Sequence, residues 1–117
     1  MVDPVTPTSL YAGTLVTGVI KGKDEGKSLN DDNTGLSAMK VQSLAADPIN
    51  PGTIYTGMLN GVDKSTDRSM SWIAVNSYMI YAVEFHHVYT LAFDPSLPKT
   101  LYAGTQSGTV FVCHTHQ

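Results

Sequence analysis

Twelve residues near the start of the chain return twice. Asp3-Pro4-Val5-Thr6-Pro7-Thr8-Ser9-Leu10-Tyr11-Ala12-Gly13-Thr14 recurs as Asp47-Pro48-Ile49-Asn50-Pro51-Gly52-Thr53-Ile54-Tyr55-Thr56-Gly57-Met58. It recurs again as Asp94-Pro95-Ser96-Leu97-Pro98-Lys99-Thr100-Leu101-Tyr102-Ala103-Gly104-Thr105. The Asp, both prolines, the Tyr and the Gly keep register at steps of 44 and 47 residues, Asp3 to Asp47 to Asp94. Self-similarity at such a period marks a repeat architecture. Each copy is one supersecondary unit that cannot bury its own faces, so neighbours must stack on it.

The likeness extends beyond this segment. Gly18–Leu29 matches Gly61–Trp72, and the third copy opens with Gly108-Thr109-Val110-Phe111. Val41–Ala46, just before the second Asp-Pro, matches Val88–Phe93 before the third. Asp-Pro-x-x-Pro is turn chemistry, because proline fixes φ and removes a donor while Asp bonds its own following amides. Leu10–Thr14, Ile54–Leu59 and Leu101–Thr105 read as short strands rich in Tyr, Thr and aliphatics. Gly18, Gly61 and Gly108 mark hairpin turns, after which Val19–Lys21, Val62–Lys64 and Val110–Val112 read as the next strands. Ile73-Ala74-Val75 reads as a fourth strand in the middle copy, and Asp31–Gly35 as a polar loop. No segment sustains a 3.6-residue apolar period. About four short strands per copy predict an all-β chain of β-propeller blades. The chain is then one partial-propeller domain over 1–117, its repeats spanning about 1–40, 41–87 and 88–117.

Composition narrows the function classes. The chain has 117 residues and a mass of 12.6 kDa, which is one domain. Its net charge is −3, its pI is near 5.7, and Arg68 is its one arginine. Phosphate affinity needs clustered cations, so no nucleic-acid partner is expected. No apolar run approaches the roughly 20 residues that span a bilayer, so no membrane partner is expected either. Cys113 stands alone and no intramolecular disulfide can form. The opening Met1-Val2-Asp3-Pro4 lacks a signal peptide's basic and apolar regions. Together these point to the cytoplasm, or to a chain whose leader has been removed.

Two segments resemble the Asp box of BNR-type propeller repeats, Ser-x-Asp-x-Gly-x-Thr/Ser-Trp. The middle copy has Ser65-Thr66-Asp67-Arg68-Ser69-Met70-Ser71-Trp72, with Ser69 in the glycine place. The first has Gly22-Lys23-Asp24-Glu25-Gly26-Lys27-Ser28-Leu29, with Gly22 for Ser and Leu29 for Trp. In the third, Cys113-His114-Thr115-His116 stands instead. The Asp-Pro-x-x-Pro-x-x-Leu-Tyr-Ala-Gly-Thr segment is similar to repeats in sortilin-like receptors, photosystem II assembly factors and xyloglucanases. The resemblance implies that Asp24, Gly26, Ser28, Ser65, Asp67, Ser71 and Trp72 shape a structural hairpin away from the ligand face. The departures at Ser69 and Leu29 put turn strain and interblade packing in question.

Propellers have about 4–8 blades, and this chain encodes about three. Completion by oligomerisation is expected, as a homodimer forming a six-bladed ring with two-fold symmetry. An excerpt of a longer propeller is the alternative.

No catalytic constellation emerges. Sialidases, the best-known Asp-box enzymes, need clustered arginines for their substrate's carboxylate. Glycoside hydrolysis needs two carboxyl groups about 5–9 Å apart. Glu84, Glu25, Asp63 and the Asp31/Asp32 pair are the candidates off the repeat consensus; none has a matching signature, and Glu84, in the irregular Glu84-Phe85-His86-His87 segment, is the one to mutate first. His114 and His116 would share one face of a strand and offer a weak divalent-metal pair, while Cys113 would face away. No Gly-x-Ser-x-Gly elbow and no phosphate loop is present. No cofactor is called for. The leading expectation is a non-enzymatic binding or scaffolding module whose ligand is a glycan or a protein or peptide. The alternative is a glycan-active hydrolase or a fragment of one. Ligand-facing candidates are Tyr78, Tyr81, Glu84, His86 and His87. The loops that vary between copies, near Leu15–Thr17, Leu59–Asn60 and Tyr78–His87, would line the variable surface. Tyr89 and Trp72 are further aromatics that could stack on a sugar ring or a peptide side chain.

Overall fold

The computed structural model describes residues 1, 9–30, 33–36, 40–50, 52–58, 61–74, 87–106, 108 and 110–114, without the side chains of Glu25, Cys113 and His114. The chain is all-β, in three small antiparallel sheets that are propeller blades. Blade 1 holds β1 (Leu10–Gly13), β2 (Val19–Lys23) and β3 (Ser28–Asn30), with one 3-10 turn at Asp24–Gly26 between the last two. Blade 2 holds β4 (Val41–Ala46), β5 (Ile54–Met58), β6 (Gly61–Ser65) and β7 (Ile73–Ala74). Blade 3 holds β8 (Val88–Phe93), β9 (Thr100–Thr105) and β10 (Val110–His114). Each strand pairs with the next in sequence, so every blade is a meander of tight hairpins. Beside β1 lies Met1, whose ammonium donates to the Tyr11 carbonyl at 2.8 Å and whose carbonyl accepts from the Tyr11 amide at 2.7 Å. Met1 thereby takes the ladder place that Ala45 holds opposite Tyr55 and Ala92 holds opposite Tyr102.

The repeated glycine explains how blades stack. Successive side chains on a strand point to opposite faces, so Tyr11 and Gly13 share one face of blade 1, and Tyr55 and Gly57 the same face of blade 2. A Cβ on Gly13 would lie 2.6 Å from Cγ1 of Val41, and one on Gly57 would lie 2.7 Å from Cγ1 of Val88. Only a bare Cα lets the next blade's inner strand press its first valine that close. Two cores form at these joints. Tyr11, Val19, Val41, Ile54, Met58 and Trp72 fill the space between blades 1 and 2. Tyr55, Val62, Val88, Leu91, Leu101, Ala103 and Phe111 fill that between blades 2 and 3. The Leu91 amide also donates to Ser43 Oγ at 3.1 Å, tying neighbouring inner strands directly.

The two ends of the arc differ. At one lie the Asp-Pro turns. Asp47 Oδ1 accepts from the amides of Ile49 (2.8 Å) and Asn50 (3.2 Å), and Asp94 Oδ1 from those of Ser96 (2.8 Å) and Leu97 (3.2 Å). The Asp67 turn joins them there, its Arg68 amide donating to Gly52 O at 3.0 Å. At the other end lie the hairpins after β1, β5 and β9 and the points where the chain enters β4 and β8. The third hairpin corrects the repeat alignment by one residue. Val110, not Thr109, stands opposite Gly104, as Val62 stands opposite Gly57 and Val19 opposite Gly13. Five residues separate Gly13 from Val19 and Gly104 from Val110, and four separate Gly57 from Val62.

Candidate functional site

Both inner strands of known extent carry a bulge at the same place. Val41 pairs with Met58 and Ser43 with Gly57, so Gln42 is the extra residue; Val88 pairs with Thr105 and Thr90 with Gly104, so Tyr89 is the extra one. A bulge leaves its residue unpaired and re-aims its side chain, and such irregularities gather beside binding sites. Here they fall where the inner strands begin, at the end opposite the Asp-Pro turns. Tyr89 is 46% exposed. The His87 ring leans on it, centroids 4.5 Å apart and planes 51° apart. His87 is itself fixed, because its carbonyl accepts from the Gln106 amide at 2.9 Å. Its Nε2 is buried with no hydrogen-bond partner among the described residues.

The neighbouring hairpin of blade 1 is held rigidly. Thr14 Oγ1 donates to Gly18 O and accepts from the Thr17 amide, both at 2.9 Å. Asn33 Oδ1 accepts from the Val19 amide at 2.9 Å, and its Nδ2 donates to Thr17 O at 2.8 Å. Leu15 and Val16 stand exposed at the tip. The Val41 amide donates to Thr14 O at 2.8 Å, which fastens this hairpin to the start of β4. Between β1 and β4 runs an open groove of about 400 Å³ lined by Met1, Tyr11, Ala12, Gly13, Gln42, Ser43 and Leu44. The end thus offers an exposed aromatic ring, a side-chain amide that can both donate and accept, and a short rigid wall. That set suits a ligand with one apolar face and several hydroxyl or amide groups.

Of the sequence candidates, His87 lies at this end. Tyr78, Tyr81, Glu84, His86, Asp31, Asp32 and His116 lie outside the described residues, as do the side chains of Glu25 and His114. Asp63 is buried in β6 and stands opposite Ala74. Trp72 is 3% exposed between blades 1 and 2, so it cannot stack on an external ring. Among the described residues no group of three or more His, Cys, Asp or Glu side chains could hold a metal. Gln42 escaped the sequence reading because a bulge leaves no mark in strand composition. The signal that could have found it is positional, a polar or aromatic residue directly after the inner-strand valine in both copies.

At the opposite end, Asp67 organises the turn that begins at Ser65. Its Oδ1 accepts from Ser65 Oγ and from the Ser71 amide, both at 2.8 Å, and its Oδ2 from Ser71 Oγ at 2.5 Å. Slight burial pushes this carboxyl up, but the hydrogen bonds from Ser71 and Ser65 and the Met70 amide outweigh it and hold it below the usual value of 3.8. Ser65 Oγ also accepts from the Ser69 amide at 2.9 Å. The matching turn of blade 1 is built differently. Gly22 offers no hydroxyl where blade 2 has Ser65, while one backbone bond is shared: Lys27 N donates to Asp24 O at 3.3 Å, as Met70 N does to Asp67 O at 3.3 Å. Leu29, in the place of Trp72, is 68% exposed.

No family model matches this chain, and no curated protein matches it. Its fold is shared with the crystal structure of an ancestral GH74 enzyme, at a TM-score of 0.82 and 23% identity. The match covers 98% of this chain and 16% of that enzyme's. At this identity the likeness is one of fold, and it agrees with three stacked propeller blades.

Proposed function

We propose that this chain is a carbohydrate-binding segment of a β-propeller that works without catalysis at its inner-strand end. The observation that carries the reading is the pair of bulges that presents Gln42 and Tyr89 at the same mouth, with His87 braced against Tyr89. A sugar ring has an apolar C–H face for the tyrosine and equatorial hydroxyls for the amide. On this reading the Ser65–Trp72 turn is an Asp box that only holds its hairpin and interblade joint. Titration of soluble β-glucan oligosaccharides by calorimetry tests the proposal. Binding is expected, and Tyr89→Ala should weaken it about tenfold, close to 1.4 kcal/mol. Absence of heat with the unaltered chain would overturn the reading.

The fold shared with a GH74 enzyme favours a second reading, a piece of a glycan-active hydrolase. That reading requires two carboxyl groups across the scissile bond, of which Glu84 is the first to test. Hydrolysis of a chromogenic β-glucan that disappears with Glu84→Gln would support it. No hydrolysis of chromogenic β-glucans by the unaltered chain would leave binding alone.

A further inference from the structure

Each blade has a trailing face, turned to the blade that follows, and a leading face, turned to the blade before. The trailing faces carry the same trio: Tyr11, Gly13 and Val19, then Tyr55, Gly57 and Val62, then Tyr102, Gly104 and Val110. Blade 2 buries Tyr11 and Val19 and blade 3 buries Tyr55, Gly57 and Val62, but Val110 is 62% exposed and Thr90 and Ala92 on the same face are exposed. The leading faces are alike too. Blade 2 buries Ile54 and Trp72 there, and blade 3 buries Leu101, Ala103 and Phe111. In blade 1 the corresponding Leu10 and Ile20 are half-buried, while Ala12 and Leu29 are exposed. The two free faces are therefore the two halves of a joint that the chain already makes twice within itself.

We infer that a second copy of this chain covers them, its leading face on this copy's trailing face and the reverse at the second junction. Two features select a second copy. First, Leu10, Ala12 and Ile20 occupy the ladder places of Leu101, Ala103 and Phe111, the set that already seals the Tyr55, Gly57 and Val62 face. Second, the free trailing face is more apolar than its covered counterparts. Lys21 and Lys64 stand opposite Tyr11 and Tyr55 with their ammonium groups 5.7 and 5.6 Å from the ring centres. Opposite Tyr102 stands Val112 instead. A lysine edge suits a joint that stays wet at its rim, and a valine suits one that closes dry. The contact is heterologous, between unlike patches, and such contacts form rings when the rotation closes. Three blades from each of two copies fall within the size range of closed propellers.

Light scattering after size exclusion tests this with the intact chain and two variants, Val110→Glu on the trailing face and Ala12→Lys on the leading face. Both sites are exposed in the single chain, so neither change disturbs its own core. The unaltered chain is expected at twice 12.6 kDa. Each variant alone should fall to a lower mass at dilute concentration. An equimolar mixture should regain the dimer, because each variant keeps the face the other has lost. Leu29→Lys, on the same leading face as Ala12→Lys, should behave like it, and circular dichroism of all three variants should match the unaltered chain. A monomeric unaltered chain would overturn the inference. So would a mixture that stays apart, which would mean like patches meeting, or a mass that climbs beyond two copies, which would mean an open filament.

Discussion

Ser69 sits where a glycine would be at ease. Its φ is +76°, close to the +90° of Gly26 at the equivalent place in blade 1. A left-handed conformation costs a residue with a Cβ about 1–2 kcal/mol, and glycine's extra freedom in the unfolded chain returns part of that. Ser69→Gly should therefore stabilise the chain by about 0.5–1 kcal/mol, read as a higher denaturant midpoint, whereas Ser69→Val should lower it. The neighbouring Asp67 gives a pH signature. Its folded-state value lies below the ordinary 3.8, so its bonded carboxylate contributes stability above that pH. The contribution is lost as pH falls through the depressed value. Asp67→Asn should lower the midpoint at pH 7, and the gap to the unaltered chain should close in acid. A gap that persisted at pH 2 would assign the loss to packing. Ser69 could be recognised as a glycine-place residue from the repeat alone. The bonds from Ser65 and Ser71 to Asp67 could not, because they depend on the turn bringing four side chains and amides to one point.

At the scale of elements, strand order and hairpin positions were legible because the repeat supplies three readings of one pattern. Asp-Pro turns, hairpin glycines and the alternation between them recur, but the one-residue slip in the third hairpin shows only in the ladder, where Val110 faces Gly104. The two bulges were not legible. Gln42 and Tyr89 look like ordinary strand residues, and only the ladder on either side of them shows that they have no partner. The interblade joint was half legible. The glycine held its register in sequence, but its reason is the valine from the next blade. Gly57→Ala should cost about 2 kcal/mol, since its Cβ must displace Val88 at a fully packed joint. The same change in a Val88→Ala background should cost less than half as much, by a double-mutant cycle in urea. Equal costs in both backgrounds would locate the strain in the strand itself.

For the whole molecule, the proposed assembly makes stability depend on concentration. If a second copy shields Leu29 and Val110, the thermal midpoint should rise with protein concentration, because only the folded chain associates. A midpoint constant over a hundredfold range of concentration would contradict this. The sequence by itself determined the class of fold, the number of blades and the turns that punctuate them, since those follow from local chemistry repeated at a fixed period. It could not determine which copies of a residue are buried. Val19, Val62 and Val110 share a ladder position, and Leu29 and Trp72 a repeat position, yet the first two valines and the tryptophan are buried and the others are not. Burial is decided by what lies across the blade face, and that is a property of neighbours in space. The paired bulges belong to the same class, because a residue is extra only relative to the strand beside it.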